Sequence, residues 1–279
     1  MRFLFLFLAT LSLAPGAPRI IEDSKLHKAF EVGVGKFAAD ESLPSAVDLA
    51  AAAKNLPESW MLEKPEQLGL KSPGDVEDSV FLIGSVYKCD NCERWHPGGV
   101  ATAWALSRDG LMVTNHHVFE KAKGGAMGIC DRNGKTFPVV ELLAANEEAD
   151  VVLFRVKGDD FQPLALGKPA KVGSRVHVLS HPNRRYFMHT FGDVSRYHRK
   201  PGRDGRPDSV WMSITADFAK GSSGGPVMNR KGQVVGMVSS TQSIYYQSNN
   251  GQPKGPLQMV VKNCVPVSAI RALLEKGKN

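Results

Sequence analysis

Three short runs of the sequence hold side chains that could together activate a serine. TNHHV (residues 114–118) follows an apolar stretch, ADVVL (149–153) begins another, and GSSGGP (221–226) lies in the second half of the chain. A serine nucleophile needs a base to accept its proton, and the base needs a carboxylate that fixes its tautomer. It also needs backbone N–H groups aimed at the developing oxyanion, which a glycine-containing turn can present. Each run alone fits an ordinary loop or cap, but the three together predict acyl transfer.

The order of the three runs resembles that of the trypsin-like serine peptidases, and most closely their bacterial HtrA-like branch. PLALGKPAKVGSRVHVLSHP (163–182) and NCVPVSAIRALL (263–274) also resemble that branch, at its entry to a second barrel and at its closing strand and helix. The resemblance covers about residues 79–276. It implies two antiparallel β-barrels packed together, the first over about residues 79–165 and the second over about 166–265.

The resemblance also assigns roles to individual residues. His117 matches the general base because it directly precedes an apolar residue, Asp150 matches the carboxylate, and Ser223 matches the nucleophile before Gly-Gly-Pro. The backbone N–H groups of Gly221 and Ser223 match the oxyanion hole. Ser239 matches a residue that in the family supports the aspartate and lines the strand that holds the substrate.

Two further positions depend on which branch of the family the chain follows. Asp217 lies six residues before Ser223. In the trypsin branch an aspartate at that offset binds Arg or Lys of the substrate, whereas HtrA-like relatives have a differently spaced aspartate with a structural role, so both roles stay open. Ser222 stands where digestive members have an aspartate that pairs with a freed N-terminus, so we do not expect activation by N-terminal insertion.

The chain ends soon after the predicted closing helix, and we expect no PDZ domain.

These assignments predict a serine endopeptidase that hydrolyses peptide bonds in protein or peptide substrates through an acyl-enzyme intermediate. The chemistry needs no cofactor, and we expect none. The alternative is a catalytically silent module of the same fold that binds an anionic polymer or an acidic protein.

The pattern of residue types in the sequence changes near Ser79. From there, short β-rich runs such as SVFLIGSVY and DVVLFRV alternate with turn signals such as RDG and NRKG, a pattern typical of antiparallel barrels or sandwiches. The ranges 46–56 and 267–276 have helical composition or spacing instead. Together with the resemblance, which implies two packed antiparallel β-barrels, these patterns predict an all-β fold with a C-terminal helix and a helical N-terminal extension.

The first residues are typical of a secretory signal peptide. Residues 3–13 are almost wholly apolar, follow a basic start, and precede the small residues of APGA. We divide the chain into a signal peptide (1–16), a helical and acidic N-terminal extension (17–75) and a peptidase domain (76–279). An uncleaved anchor is the alternative. The expected mature protein is secreted or periplasmic, and without a further apolar stretch we expect it not to enter a membrane.

Charge is divided unevenly along a chain whose net charge is +7. Residues 17–78 carry 7 basic and 12 acidic side chains, and residues 79–279 carry 27 and 16. We expect the acidic extension to dock on the basic domain and to moderate access to its cleft. A basic loop at 194–207 is either a solvated loop or a site for acidic partners; its basic residues are Arg196, Arg199, Lys200, Arg203 and Arg206. The sequence has no nucleic-acid-binding motif, and we expect no nucleic-acid partner.

The four cysteines allow more than one chemistry. Cys89 and Cys92 are close enough to form a local disulfide, which export permits, and with His96 they form a C-x-x-C-x-x-x-H pattern. A fourth metal ligand is not evident, so a disulfide or free thiols are favoured over a metal site. Cys264 lies in a predicted core strand and is expected to be buried.

Overall fold

The structure is a computed structural model of the 279-residue chain. It describes residues 19–60, 76–89, 91–92, 94–202, 205–249 and 252–274. The expected signal peptide and Arg203 lie outside these described residues.

The first half of the peptidase region forms a closed six-stranded antiparallel barrel. Its strands are β1 (Val80–Lys88), β2 (Trp95–Ala105), β3 (Leu111–Thr114), β4 (Ala126–Cys130), β5 (Thr136–Asn146) and β6 (Val151–Val156). They are ordered β1-β2-β3-β6-β5-β4 around the barrel. The strands are rich in Val, Leu, Ile, Phe and Ala, and closure buries their apolar side chains without leaving an unpaired edge.

The second half forms another closed barrel of six strands. Its strands are β7 (Arg175–Ser180), β8 (Met188–Lys200), β9 (Ser209–Ile214), β10 (Pro226–Met228), β11 (Val234–Asn249) and β12 (Gln252–Pro266). They are ordered β10-β11-β12-β9-β8-β7. Both barrels therefore have the same circular order, and the chain passes from one to the other between β6 and β7.

The described residues include four α-helices outside the strands: α1 (Asp23–Phe37), α2 (Ala46–Ala52), α3 (His116–Glu120) and α4 (Val267–Leu274). Leu26, Phe30 and Val34 lie four residues apart on α1, and all three are buried in one cluster with residues of the first barrel. At the start of α2, the Ser45 hydroxyl accepts the Asp48 N–H while the Asp48 carboxylate accepts the Ser45 N–H. No helix within the described ranges is long and apolar enough to cross a bilayer.

The structure confirms the predicted fold class, including both barrels, the C-terminal helix and the helical extension. The helix expected over 46–56 ends at Ala52 and continues as one 3-10 turn at Ala53–Asn55. The short helix α3, directly after β3, was not predicted. It matters because it carries His116 and His117.

Candidate active site

The structure brings together the three side chains expected to do the chemistry. The Nδ1 atom of His117 lies 2.9 Å from Oδ2 of Asp150, and its Nε2 atom lies 3.1 Å from Oγ of Ser223. His117 is the second residue of α3, which follows β3. Asp150 immediately precedes β6, and Ser223 precedes β10 of the other barrel. These distances are within hydrogen-bonding range. The group therefore has the connectivity of a base that faces a nucleophile and is oriented by a carboxylate.

Asp150 adopts a left-handed backbone conformation with φ of 57°. Such a conformation costs about 1 kcal/mol or more for a non-glycine residue and persists only where neighbours fix it. Here the Asn115 Nδ2 group donates to the Asp150 carbonyl at 2.9 Å, and the Asp150 N–H donates to Glu147 O at 3.1 Å. The strained backbone points the carboxylate at His117.

The Asp150 carboxylate accepts hydrogen bonds from two elements besides the imidazole. The backbone N–H of His117 donates to Oδ1 at 3.1 Å, and the Ser239 hydroxyl donates to Oδ2 at 2.5 Å. Ser239 belongs to β11 of the second barrel and is buried. The aspartate is therefore held by both barrels, and Ser239 has the contact expected of a supporting residue.

The loop that carries Ser223 is anchored to the first barrel through Thr102 of β2. The Thr102 N–H donates to Ser223 O at 2.8 Å, and its Oγ1 donates to Gly221 O at 3.0 Å. Gly224 has φ of +85°, and a side chain there would collide with the Thr102 carbonyl. The loop can approach β2 this closely because a glycine occupies that position.

Two peptide groups beside Ser223 are held in fixed orientations through their carbonyls. The Lys220 carbonyl accepts from Asn183 N–H at 2.6 Å, and the Ser222 carbonyl accepts from Gly225 N–H at 2.8 Å. In a trans peptide the C=O and N–H point in opposite directions, so the N–H groups of Gly221 and Ser223 face away from these partners. Within the described residues, neither N–H donates to a protein acceptor. Both N–H groups therefore remain available as the donors that an oxyanion hole needs.

The loop that contains Asn183 is unusually strained and is supported by α1. Asn183, Arg184 and Phe187 all have positive φ, at 47°, 62° and 55°. The Tyr186 N–H donates to the Asp23 carboxylate of α1 at 2.9 Å, and the Tyr186 hydroxyl lies 2.6 Å from Nδ1 of another α1 residue, His27. A continuous series of contacts therefore runs from α1 to the Lys220 carbonyl and the Gly221 N–H.

His181 begins this same loop and is fully buried. Its Nδ1 atom accepts the Phe187 N–H at 3.0 Å. Burial lowers the pKa of the His181 imidazole from 6.5 to about 3, because a charged ring would lose its hydration. His181 is therefore neutral in the folded protein, which the acceptor role of Nδ1 also requires.

The second helix of the extension contacts α3. The Nε2 atom of His116 lies 2.9 Å from the Ala53 carbonyl, and Leu49 and Ala53 are buried in one cluster with Phe119. His116 thus faces the extension while His117 faces the other two members of the site. The extension supports the histidine side of the site through α2 and the oxyanion side through α1.

His117 and Ser223 open onto a cleft of about 440 Å³. Gly98, Gly99 and Val100 of the first barrel and Lys220 and Gly221 of the second also line it. Glycine at these positions leaves backbone exposed along the cleft, where an extended peptide could lie.

Asp217 does not join this group. Its side chain is 85% exposed and pairs with Lys262 at 3.0 Å, and it does not line the cleft that contains Ser223. Lys262 in turn donates to the Phe218 carbonyl at 3.0 Å. The carboxylate is thus neutralised by a neighbouring lysine. Ser222, the other serine of the run, is fully buried, and its hydroxyl accepts from Ser180 Oγ at 2.9 Å.

Sequence reasoning missed several residues that position the site. Asn115 could have been proposed from the sequence, since it lies inside the TNHHV run. Thr102, Asn183 and Tyr186 carried no signal, because their partners are distant in sequence: Tyr186 and His27 are 159 residues apart. Helix α1 lies within the extension predicted to be helical, but the apolar face by which it packs on the first barrel was not predicted.

The basic loop is partly neutralised within the protein. Arg206 lies 2.5 Å from Glu147 and 3.4 Å from Glu148, beside the turn that leads to Asp150. Lys200 lies over the Trp211 ring, 4.6 Å from its centroid. Two of the basic residues expected to attract an acidic partner are thus already in contact with other groups of the protein, and one of them, Arg206, is paired with carboxylates.

Two closed β-barrels with the site at their junction define the trypsin-like fold. Residues 101–237 match the family model of the trypsin-like peptidase domain, so this part of the chain is a trypsin-like peptidase domain. A crystal structure of Rv3671c from M. tuberculosis H37Rv, a serine-to-alanine mutant in its inactive form, has a TM-score of 0.54 and 22% sequence identity. The match covers 79% of this chain and 95% of that one, and it supports the fold.

Curated bacterial proteins are similar to about half of the chain. A probable periplasmic serine endoprotease DegP-like of Hahella chejuensis is 32% identical over 151 residues, covering 53% of this chain and 30% of that protein. The protein of the same name from Ectopseudomonas mendocina is 33% identical over 155 residues, covering 52% and 31%. The chain thus spans about 30% of the length of these relatives.

Proposed function

We propose that the protein is a serine endopeptidase in which His117, Asp150 and Ser223 form the catalytic triad. The observation that carries the proposal is the continuous hydrogen-bonded series from the Asp150 carboxylate through the His117 imidazole to the Ser223 hydroxyl. The trypsin-like peptidase domain and the serine endoprotease relatives support a peptidase of this kind.

In the proposed reaction, Nε2 of His117 accepts the Ser223 hydroxyl proton as Oγ attacks the carbonyl carbon of the peptide bond. Asp150 keeps the Nδ1 proton directed at its carboxylate and stabilises the imidazolium that forms. The Gly221 and Ser223 N–H groups donate to the oxyanion, each contributing about 3–4 kcal/mol to transition-state stabilisation. The imidazolium then gives its proton to the leaving amine.

Deacylation repeats these steps with water as the nucleophile. His117 accepts a proton from water, whose oxygen attacks the acyl carbon attached to Ser223. Collapse of the second tetrahedral intermediate breaks the ester bond, and His117 returns the proton to Ser223 Oγ. The enzyme is thereby regenerated without any group other than its own side chains, backbone and water.

We further propose that the protein acts outside the cytoplasm, in the periplasm or after secretion. The apolar leader at residues 3–13 supports export, and the similar proteins are named as periplasmic. Residues 17–75 form the extension and residues 76–279 the peptidase domain. We propose Ser239 as a residue that supports Asp150, because its hydroxyl donates to the carboxylate. The case for Asp217 as a substrate-specificity residue is weaker, because its carboxylate is already paired with Lys262.

The test compares two neighbouring serines on an unfolded protein substrate such as casein. Ser223→Ala should lower kcat by a factor on the order of 10⁶ while leaving the thermal midpoint of unfolding nearly unchanged. Ser222→Ala should keep substantial activity, because the Ser222 hydroxyl is buried against Ser180 and faces away from the substrate. Equal loss in both variants, or no activity in the parent protein, would contradict the proposal.

A further inference from the structure

A cluster of metal-ligating side chains lies in the turn that joins β1 to β2, outside the proposed catalytic site. Cys89 directly follows β1, and His96 is the second residue of β2. The turn is closed by hydrogen bonds from Cys89 N–H to Arg94 O at 3.2 Å and from Cys92 N–H to Cys89 O at 3.4 Å. The hairpin thus brings both cysteines beside the histidine.

Three potential ligand atoms converge in this turn. The Sγ atoms of Cys89 and Cys92 and one ring nitrogen of His96 all lie within 4.8 Å of one another, and Cys92 Sγ is 3.0 Å from His96 Nε2. Around a tetrahedral zinc ion, bond lengths near 2.3 Å to sulfur and 2.0–2.1 Å to nitrogen separate the ligand atoms by roughly 3.5–3.8 Å. The cluster therefore needs only small side-chain adjustments to enclose one ion.

The chemistry of the three groups matches one class of metal. Both cysteines are free thiols, all three residues are half-buried, and they form the one such cluster of three found in the described part of the chain. Two thiolates and an imidazole favour zinc over magnesium or calcium, which prefer oxygen ligands.

We propose that Cys89, Cys92 and His96 bind one Zn²⁺ ion, with the fourth coordination position taken by water. Each thiol passes its proton to solvent as its sulfur–zinc bond forms, so two protons leave when both are thiols. No redox partner is needed. This proposal does not depend on the proposed peptidase activity, since none of the three residues lines the cleft.

The position of the turn indicates what the ion does. Trp95 lies between Cys92 and His96 in the sequence and packs against Gly35 of α1 and against Gly125; a side chain at Gly35 would come within 2.7 Å of the indole. An ion that fixes the turn also fixes Trp95, and with it the C-terminal end of α1. We therefore expect bound zinc to raise the thermal midpoint of unfolding.

The test uses the reduced full-length protein with Co²⁺ as a spectroscopic substitute for Zn²⁺. One equivalent of cobalt should give the thiolate-to-cobalt charge-transfer band and the intense visible bands of a tetrahedral site, and zinc should displace it. Cys92→Ser and His96→Ala should lose these bands and the zinc-dependent rise in thermal midpoint. Lys88→Ala, a change at an exposed neighbour, should retain both.

Two results would overturn the proposal. One is a reduced protein that gives no thiolate–cobalt bands, or gives bands that persist in Cys92→Ser. The other is protein isolated without reductant that holds a Cys89–Cys92 disulfide, shown by thiol counting and mass spectrometry, and contains no zinc by elemental analysis. Loss of peptidase activity alone bears on the catalytic proposal and leaves this one unaffected.

Discussion

At the scale of single residues, the site depends on how Asp150 is oriented. Its carboxylate accepts the His117 N–H, the His117 ring and the Ser239 hydroxyl, while its carbonyl accepts from Asn115. These contacts offset the cost of a left-handed backbone. Their combined effect is to hold one tautomer of His117, with its Nε2 lone pair facing Ser223.

His181 provides the pH prediction at this scale. Its pKa is about 3 in the folded protein and near 6.5 when solvated, so the unfolded chain binds a proton that the folded protein does not. The contribution of neutral, buried His181 to the free energy of unfolding is complete above pH 6.5 and is lost as the pH falls from there towards 3. Urea denaturation should show about 2 kcal/mol less free energy of unfolding from this residue at about pH 5.

The variant His181→Asn provides the control for this prediction. Its side-chain oxygen can accept the Phe187 N–H but does not titrate, so its stability should fall less steeply on acidification. Some pH dependence should remain, because burial also lowers the pKa of His177, to about 4. An NMR titration in which the His181 ring protonates with an ordinary midpoint in the folded protein would contradict the account.

At the scale of elements, α1 and α2 are part of the support of the site. The sequence predicted an acidic extension held by charge that moderates access to the cleft. The contacts indicate a supporting role as well, since Phe30 and Val34 are fully buried against the first barrel and Asp23 of α1 holds the strained loop that leads to Lys220. The effect on access to the cleft stays a prediction. Apolar burial of this kind resists salt, unlike exposed ion pairs.

The prediction for α1 concerns Asp23. Asp23→Ala should lower kcat up to about tenfold with little change in KM. The loss of its hydrogen bond loosens the loop that orients the Gly221 N–H, and this N–H is proposed to act mainly in the transition state. Asp23→Asn keeps an oxygen that can accept the Tyr186 N–H and should restore activity. Lys28→Ala, on the exposed face of α1, serves as the matched control and should behave like the parent protein.

Steady-state kinetics together with thermal unfolding separate this role from a purely structural one. If Asp23→Ala lowers the thermal midpoint while kcat at a permissive temperature stays unchanged, α1 stabilises the fold and does not position the oxyanion loop. A fall in kcat that Asp23→Asn does not restore would point to the charge of Asp23 instead of its hydrogen bond.

At the scale of the whole molecule, the sequence predicted the features that local patterns encode. Short strands with turns between them indicated an antiparallel barrel or sandwich. The resemblance to trypsin-like peptidases implied two barrels and singled out His117, Asp150 and Ser223, which the structure brings together. The sequence predicted that the extension docks on the peptidase domain, but it did not predict the contacts involved, because these join residues distant in sequence, such as His27 and Tyr186. Nor could any local pattern specify the left-handed turns around Asn183, which only the packed loop enforces.

The central claim is that both barrels together assemble a reactive serine at Ser223. The most direct measurement is labelling of the folded protein with a fluorophosphonate probe, followed by peptide mapping by mass spectrometry. One adduct per chain is expected, on Ser223; it should be lost in Ser223→Ala, strongly reduced in His117→Ala and retained in Ser222→Ala. Absence of labelling in the folded parent protein, or an adduct that maps to Ser222, would contradict the central claim.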